Sequence, residues 1–336
     1  MNKPLVWIVN SSSFGRVFPE HLYALESMCE VRRADDVSDW NGKKIGAMCR
    51  GATAVIASVA PEFDWMFFRG MPGLKLLARH GIGYNNVDLG AATSHGVIVT
   101  RVAGIVEREG MAESAVMLAL AIARRTIPAD TAVRAGRWKD RTQFVGIELK
   151  GRTVGVIGCG NIGSRVVQIF RRGFGARVLA TDPNVSGARM RLLGAHPVAL
   201  SRLLRESDII TLHASLNPTS RGIIGKKALS QMRLGALLVN NARGELVDEK
   251  AVAGALRSGR LAGLAVDVVS REPAGRSHPF LKCPNTVVVP HVGAYTVESL
   301  RAMGQKMVDD VSAVLAGKIP REVVNPAVLK RKRSQP

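Results

Sequence analysis

Aromatic residues are scarce: Phe, Trp and Tyr together make up 5% of the 336 residues. The core must therefore be aliphatic, as the interiors of buried parallel sheets usually are. Acids are also few, 27 Asp and Glu against 47 Lys and Arg, for a net charge of +20. Such a surplus suits either a nucleic-acid partner or anionic small substrates. The basic residues are scattered through the chain, however, and the one dense run, Lys330 to Arg333, reads as a short solvated tail. Nucleic acid is therefore not the expected partner. No apolar run reaches the roughly 18 residues that a membrane span needs. The opening MNKPLVWIVNSSS has one short apolar stretch, Leu5 to Val9, too brief for a signal-peptide core, and a cytoplasmic protein is expected. Cys29, Cys49, Cys159 and Cys283 form no CxxC pair and share no zinc-ligand spacing with histidine. That excludes a disulfide scaffold and predicts reduced thiols and no metal site.

What is present is rhythm. Apolar content is 46%, with 34 glycines and 15 prolines, and the length suits two domains. Apolar runs alternate with helical patterns almost throughout, the signature of βαβ units and a parallel α/β sheet. Strands are expected at Leu5–Val9, Ala52–Ala57, Leu74–Ala78 and Val97–Val99, with helices around Glu20–Met28, Pro61–Arg69 and Val87–Ser94. The segment Ala115–Ala123 is apolar on all sides, so it must be covered all round. A second strand–helix alternation runs from Arg152 to Val289, and an amphipathic helix spans Val297–Leu315.

The stretch TVGVIGCGNIGSRVVQIF reads as a strand, a turn with Gly158, Gly160 and Gly163, and a helix. About twenty residues on, Asp182 stands at the end of another strand pattern, VLATDP. This is the context that the dinucleotide fingerprint requires. The glycines permit the tight turn, and the amides of Asn161 and Ile162 at the helix start face a pyrophosphate. Asp182 is placed to accept hydrogen bonds from the ribose hydroxyls and to repel a 2′-phosphate, which predicts NAD rather than NADP.

Beyond that loop, polar residues recur where apolar runs finish. His213 and Thr219 follow DIITL, Arg243 follows LLVN, Asp267 and Glu272 follow LAGLAV, and His291 follows TVVVP. The ends of parallel strands share one edge of a sheet, so these residues can converge. Hydride loss from a carbinol requires the hydroxyl proton to leave as well, and histidine suits that task near neutral pH. A neighbouring carboxylate orients such a ring and favours its protonated form. An arginine holds a carboxylate through a planar two-point contact.

The segments LKLLARHGIGYNNVDLGAA, GCGNIG, NNARGELVDE, DVVSREP and PHVGAYT, in that order, resemble the motifs of the D-isomer-specific 2-hydroxyacid dehydrogenase family over nearly the whole chain, most of all its 3-phosphoglycerate dehydrogenase-like branch. The resemblance implies a Rossmann-type NAD-binding domain, residues 102–291, inserted in a smaller flavodoxin-like substrate-binding domain of residues 1–101 and 292–330, with 331–336 as a basic tail. It implies that Arg243, Glu272 and His291 are the catalytic trio. Cofactor contacts are implied at Gly158, Gly160, Asn161, Ile162, Gly163, Asp182, Asn241, Ala242, Arg243, Asp267, His291 and Gly293. The backbone of Gly81, Ile82 and Gly83 is expected to bind the substrate carboxylate with Arg243. The implied activity is NAD-dependent interconversion of a small D-2-hydroxy acid and its 2-keto acid. In these terms His291 is the acid/base and Glu272 its charge partner. A homodimer is expected, with Arg134–Trp138 resembling the family's partner-crossing arm. Asn85 and Ser114 depart from the family's usual aspartate and histidine, which bears on substrate identity. The rival reading is an NAD(H)-sensing binding protein of the same fold with a nucleic-acid or protein partner.

Overall fold

The computed structural model describes residues 3–332, with side chains as far as Lys330. The chain divides into two units. The residues up to Val106 and those from Thr296 form the first, and Glu107–Tyr295 form the second.

In the first unit, β1 (Leu5–Val9), β2 (Glu30–Ala34), β3 (Ala52–Ala57), β4 (Leu76–Arg79) and β5 (Ile98–Thr100) make an all-parallel sheet of order β2-β1-β3-β4-β5. That order is the flavodoxin-like one. Period-two alternation splits each strand between two cores. Trp7, Val9, Val55, Ala57 and Leu77 pack with Ile45 of α2 (Gly42–Met48), Phe67 and Phe68 of α3 (Trp65–Arg69) and Ala91 of α4 (Leu89–Ser94). Val6, Ile8, Ile56 and Ala78 pack on the other face with Leu25 of α1 (Pro19–Met28) and with Met303, Met307 and Val311 of α12 (Val297–Leu315). Both faces are covered, which is why β1 and β3 read as unbroken apolar runs.

The chain after α12 closes the open edge of β5. Asn325 imitates a strand residue there: its Oδ1 accepts from Val99 N at 2.9 Å, and its Nδ2 donates to Val97 O at 2.9 Å. Thr100 Oγ1 donates to Asp310 Oδ2 at 2.7 Å, and Lys306 also pairs with this buried carboxylate. The last helix, α13 (Ala327–Lys332), takes in the start of the basic run that was expected to be a solvated tail. Val328 is fully buried and Leu329 packs beside it, which holds the segment as a helix. Residues 333–336 lie outside the described residues.

In the second unit, seven parallel strands run in the order β12-β11-β10-β9-β6-β7-β8. They are β6 (Thr153–Ile157), β7 (Arg177–Thr181), β8 (His196–Pro197), β9 (Ile209–Leu212), β10 (Ala236–Asn240), β11 (Leu261–Val266) and β12 (Thr286–Val288). The order reverses direction between β6 and β9, and ligands of such sheets bind beyond the strands' carboxyl ends at that point. One face carries α5 (Arg108–Ala123), α7 (Asn161–Gly173) and α8 (Gly187–Leu192). The other carries α9 (Leu200–Glu206), α10 (Lys226–Gln231) and α11 (Glu249–Arg257). The all-round apolar character of α5 is explained within this unit, because the helix packs on α7, β10 and β11. Along this helix Met117 is exposed, and exposed apolar residues follow at Ile127 and Val133 of α6 (Thr126–Arg134) and at Trp138 and Val145.

In each unit one histidine directly follows a strand and meets a hydroxyl. His80 follows β4, meets Ser11 Oγ at 3.3 Å and lies edge-on to Phe14. His213 follows β9 and meets Thr211 Oγ1 at 2.9 Å. Burial pushes each ring from its ordinary 6.5 down to about 3, with Arg79 adding to the effect at His80. The unfolded chain therefore binds protons at these sites below about pH 6.5 while the fold refuses them. Stability is expected to be fully present above that pH and to fall as pH drops toward 3, by up to about 1.4 kcal/mol per pH unit for each ring. Urea midpoints measured between about pH 7.5 and 4.5 check this. His80→Gln should flatten the slope, and an unchanged slope would contradict the assignment.

Candidate active site

The second unit builds its site at the carboxyl ends of β6, β7, β10, β11 and β12. Gly158, just past β6, has φ +92, and a Cβ there would stand 2.5 Å from the carbonyl carbon of His213 and from Ala214 N. A Cβ on Gly163 would run into Gly158 O, so this glycine lets the start of α7 press against the turn. Around Gly160 nothing lies within 4 Å of the corresponding position. Two glycines thus serve close packing and the third leaves open space beside the helix start. No side chain caps α7, so its first amides and the positive end of its dipole suit an anion such as a pyrophosphate. Asp182, immediately beyond β7, accepts from Cys159 N at 2.7 Å through Oδ2 and from Asn184 N at 2.8 Å through Oδ1. It ties the glycine loop to the next turn, and each oxygen keeps a second lone pair for a ribose hydroxyl. These residues fit NAD.

At the end of β10, Asn240 folds the chain back on itself. Its Oδ1 accepts from Ala242 N at 3.1 Å and its Nδ2 donates to Arg243 O at 2.8 Å. Arg243 stands extended at this turn. Its Nη1 donates to Ala242 O at 2.6 Å, and no carboxylate pairs with it among the described residues. Asn241 points inward: it is buried and its Nδ2 donates to Met111 O of α5 at 2.9 Å. A Cβ on Gly244 would collide with the backbone of Val269 and Ser270, so the Arg243 turn lies directly against the turn that follows β11.

That second turn supplies Asp267 and Glu272. Asp267 is buried, and it accepts from Val292 N at 2.7 Å and from Gly293 N at 2.9 Å. Burial raises its carboxyl above the ordinary value, against the pull of His291 and of those two amides. Its carbonyl accepts from His291 N at 2.9 Å. Asp267 thus holds the whole 291–293 loop, and a Cβ on Gly293 would lie 2.6 Å from its Oδ2. The loop needs this grip because His291 has φ +55, a left-handed conformation that non-glycine residues adopt at an energetic cost. The result is a short contact: Glu272 Oε2 lies 2.7 Å from His291 Nδ1, with Oε1 accepting from Val269 N at 3.3 Å. The carboxylate favours hydrogen on Nδ1, and the ring remains 34% exposed.

Two strand-end residues do not join this group. His213 is turned to Thr211, and Thr219 sits in an exposed turn bonded to Asn217. In the first unit, Gly81, Ile82 and Gly83 follow β4, and Gly81 has φ +152. The reading of the sequence passed over Arg79, which shapes that loop. Arg79 is 1% exposed, and it donates from Nε to Gly83 O at 2.8 Å and from Nη1 to Ala57 O at 2.7 Å. An arginine closing an apolar run was the available signal, the same one that singled out Arg243.

A Rossmann-type sheet, a glycine loop backed by Asp182 and a carboxylate–histidine pair at the strand ends define an NAD-dependent oxidoreductase. The chain belongs to the D-isomer specific 2-hydroxyacid dehydrogenase family, whose NAD-binding domain matches residues 116–293. It is an NAD-dependent D-2-hydroxyacid dehydrogenase. It is 33% identical to a glyoxylate reductase of Korarchaeum cryptofilum over 98% of both chains. It is 37% identical to the D-3-phosphoglycerate dehydrogenase of Mycobacterium bovis over 97% of this chain, and it spans 59% of that protein. The D-lactate dehydrogenase of Aquifex aeolicus, solved with NAD and lactic acid, is similar with a TM-score of 0.83 and 26% identity, over 95% of this chain and 99% of that one. Among the described residues no helix is long and apolar enough to cross a membrane.

Proposed function

We propose that the protein interconverts a short 2-keto acid and its D-2-hydroxy acid, with His291 moving the proton, Glu272 supporting it and Arg243 holding the substrate carboxylate. The observation that carries this reading is the 2.7 Å contact between His291 Nδ1 and Glu272 Oε2. NAD(H), which the glycine loop and Asp182 would hold, would supply hydride exchange at the substrate carbon. In reduction His291 Nε2 gives its proton to the carbonyl oxygen as that hydride arrives, and in oxidation it takes the hydroxyl proton back. Glu272 offsets the positive charge of the protonated ring. Arg243 is the proposed carboxylate ligand in the second unit. Asp182 would discriminate against a 2′-phosphate, so NADH should bind more tightly than NADPH.

The substrate is proposed to be of glyoxylate or hydroxypyruvate size. The similarity to glyoxylate reductases over nearly the whole chain supports this reading. NADH consumption with glyoxylate, hydroxypyruvate, pyruvate and phosphohydroxypyruvate tests the reading. Turnover confined to the phosphorylated acid would replace the substrate, and no turnover with any would remove the activity.

A homodimer is proposed as the working form. Trp138 and Val145 are 68% and 76% exposed, and Ile127 and Val133 are exposed on the adjoining helix. Such a group of apolar side chains is commonly covered by a second subunit. Light scattering at micromolar concentration should give twice the 36.0 kDa chain mass. Trp138→Asp should shift the protein toward monomer, and a monomeric wild type would refute the proposal.

A further inference from the structure

The turn bearing Glu272 has an exposed outer edge, yet it must deliver one carboxylate oxygen to His291 within hydrogen-bond distance. Ser270 and Arg271 are both exposed. A single side chain from another element grips this turn twice. Glu249, the first residue of α11, accepts from Ser270 N at 2.7 Å through Oε1 and meets His278 Nε2 at 3.3 Å through Oε2. Helix capping does not account for this, because Asp248 caps α11 by accepting from Ala251 N at 3.0 Å. Phe280 N donates to His278 Nδ1 at 3.4 Å, which leaves the ring hydrogen on Nε2, facing Glu249. Both partners are largely enclosed, the Glu249 side chain 17% exposed and that of His278 10%.

Ser270 and His278 lie on either side of Glu272 in the chain, so the two contacts hold both flanks of its turn. The inner side is already fixed by Gly244 against Val269 and Ser270. Glu249 also belongs to the segment NNARGELVDE that carries Arg243. We propose that Glu249 and His278 are positioning residues: a clasp that keeps the Glu272 carboxylate on His291 Nδ1 and ties that turn to the Arg243 segment. The proposal rests on the reading of Glu272 and His291 given above. A drift of about 1 Å would lengthen the 2.7 Å contact out of hydrogen-bond range, and misplacement of that size lowers rates by up to about 10²-fold.

The test follows the His291 ring by NMR in the ligand-free protein, with 13C-labelled histidine and the resonance assigned by its loss in His291→Asn. Asp267 also faces this ring, and every variant below retains it. Glu249→Ala should move the titration midpoint of His291 downward, in the same direction as Glu272→Gln. It should also lower kcat for keto-acid reduction by about 10- to 100-fold, with NADH binding unchanged. Asp248→Ala, which weakens the same helix start without touching the turn, should lower Tm and leave the midpoint in place. If Glu249→Ala does not fold, His278→Ala releases the other end of the clasp and decides the matter by the same shift. A midpoint that moves in Glu272→Gln but not in the clasp variant overturns this proposal alone. A midpoint unmoved in Glu272→Gln overturns the reading beneath it as well.

Discussion

His291→Asn is expected to lower kcat for 2-keto acid reduction by about 10²- to 10⁴-fold, the usual span for loss of a positioned acid/base. NADH affinity should be retained, because the glycine loop and Asp182 lie on other strands. Asparagine keeps a polar side chain of similar reach but has no proton to give at neutral pH. The companion variant Glu272→Gln separates charge from shape. Glutamine still offers an oxygen to Nδ1–H, at the position now 2.7 Å away, but it no longer favours the imidazolium. Reduction needs the protonated ring, so its rate should begin to fail at a lower pH in the variant. Oxidation needs the neutral ring and should switch on at a correspondingly lower pH. At neutral pH, reduction is therefore harmed more than oxidation. The check is a pair of pH–kcat profiles, one in each direction, for both proteins. Two superimposable profiles would reduce Glu272 to a turn residue.

The second large effect is expected at Arg243. Arg243→Lys conserves charge but loses the planar fork that meets a carboxylate at two points. Losing a charge-assisted hydrogen bond of this kind is worth about 1.5–3 kcal/mol, or roughly 10- to 10²-fold in kcat/KM. The loss should fall on the keto acid, while NADH titration stays near wild type. Asn240 supports that separation, since it fixes the turn through the Ala242 amide and the Arg243 carbonyl rather than through the guanidinium. A parallel loss of NADH affinity would assign Arg243 to the fold or to the cofactor.

These side chains were accessible from the sequence because parallel strands buried on both faces leave few reasons for a polar residue at their ends. β1, β3 and α12 fall where the apolar pattern places them. Elsewhere packing overrode pattern. β2 reads Glu-Val-Arg-Arg-Ala and was not expected; as an edge strand it pairs on one side, Glu30 and Arg32 are exposed, and Arg33 donates to the carbonyls of Ser11 and Phe14. β4 was expected at Leu74–Ala78 but runs Leu76–Arg79. Leu74 belongs to the preceding turn, and the buried guanidinium of Arg79 turns back onto Ala57 and Gly83. In the site, residue types alone suggested that a histidine and a carboxylate meet. They did not reveal that Asp267 braces the 291–293 loop or that Asn241 turns away into α5. Both facts depend on backbone amides and carbonyls, which carry no identity in a sequence.

The return of α12 to the first unit sets an order of events during synthesis. Its Met303, Met307 and Val311 cover one face of a sheet whose five strands are all complete by Thr100, and Asn325 closes that sheet's edge later still. A nascent chain therefore exposes this apolar face while the entire second unit is being made. The second unit is contiguous, so its own sheet can close before α12 leaves the ribosome. Folding is thus expected to finish at the beginning of the chain rather than at its end. Released chains truncated after Tyr295 should accordingly resist protease across Glu107–Tyr295 while the residues before Val106 remain open to cleavage.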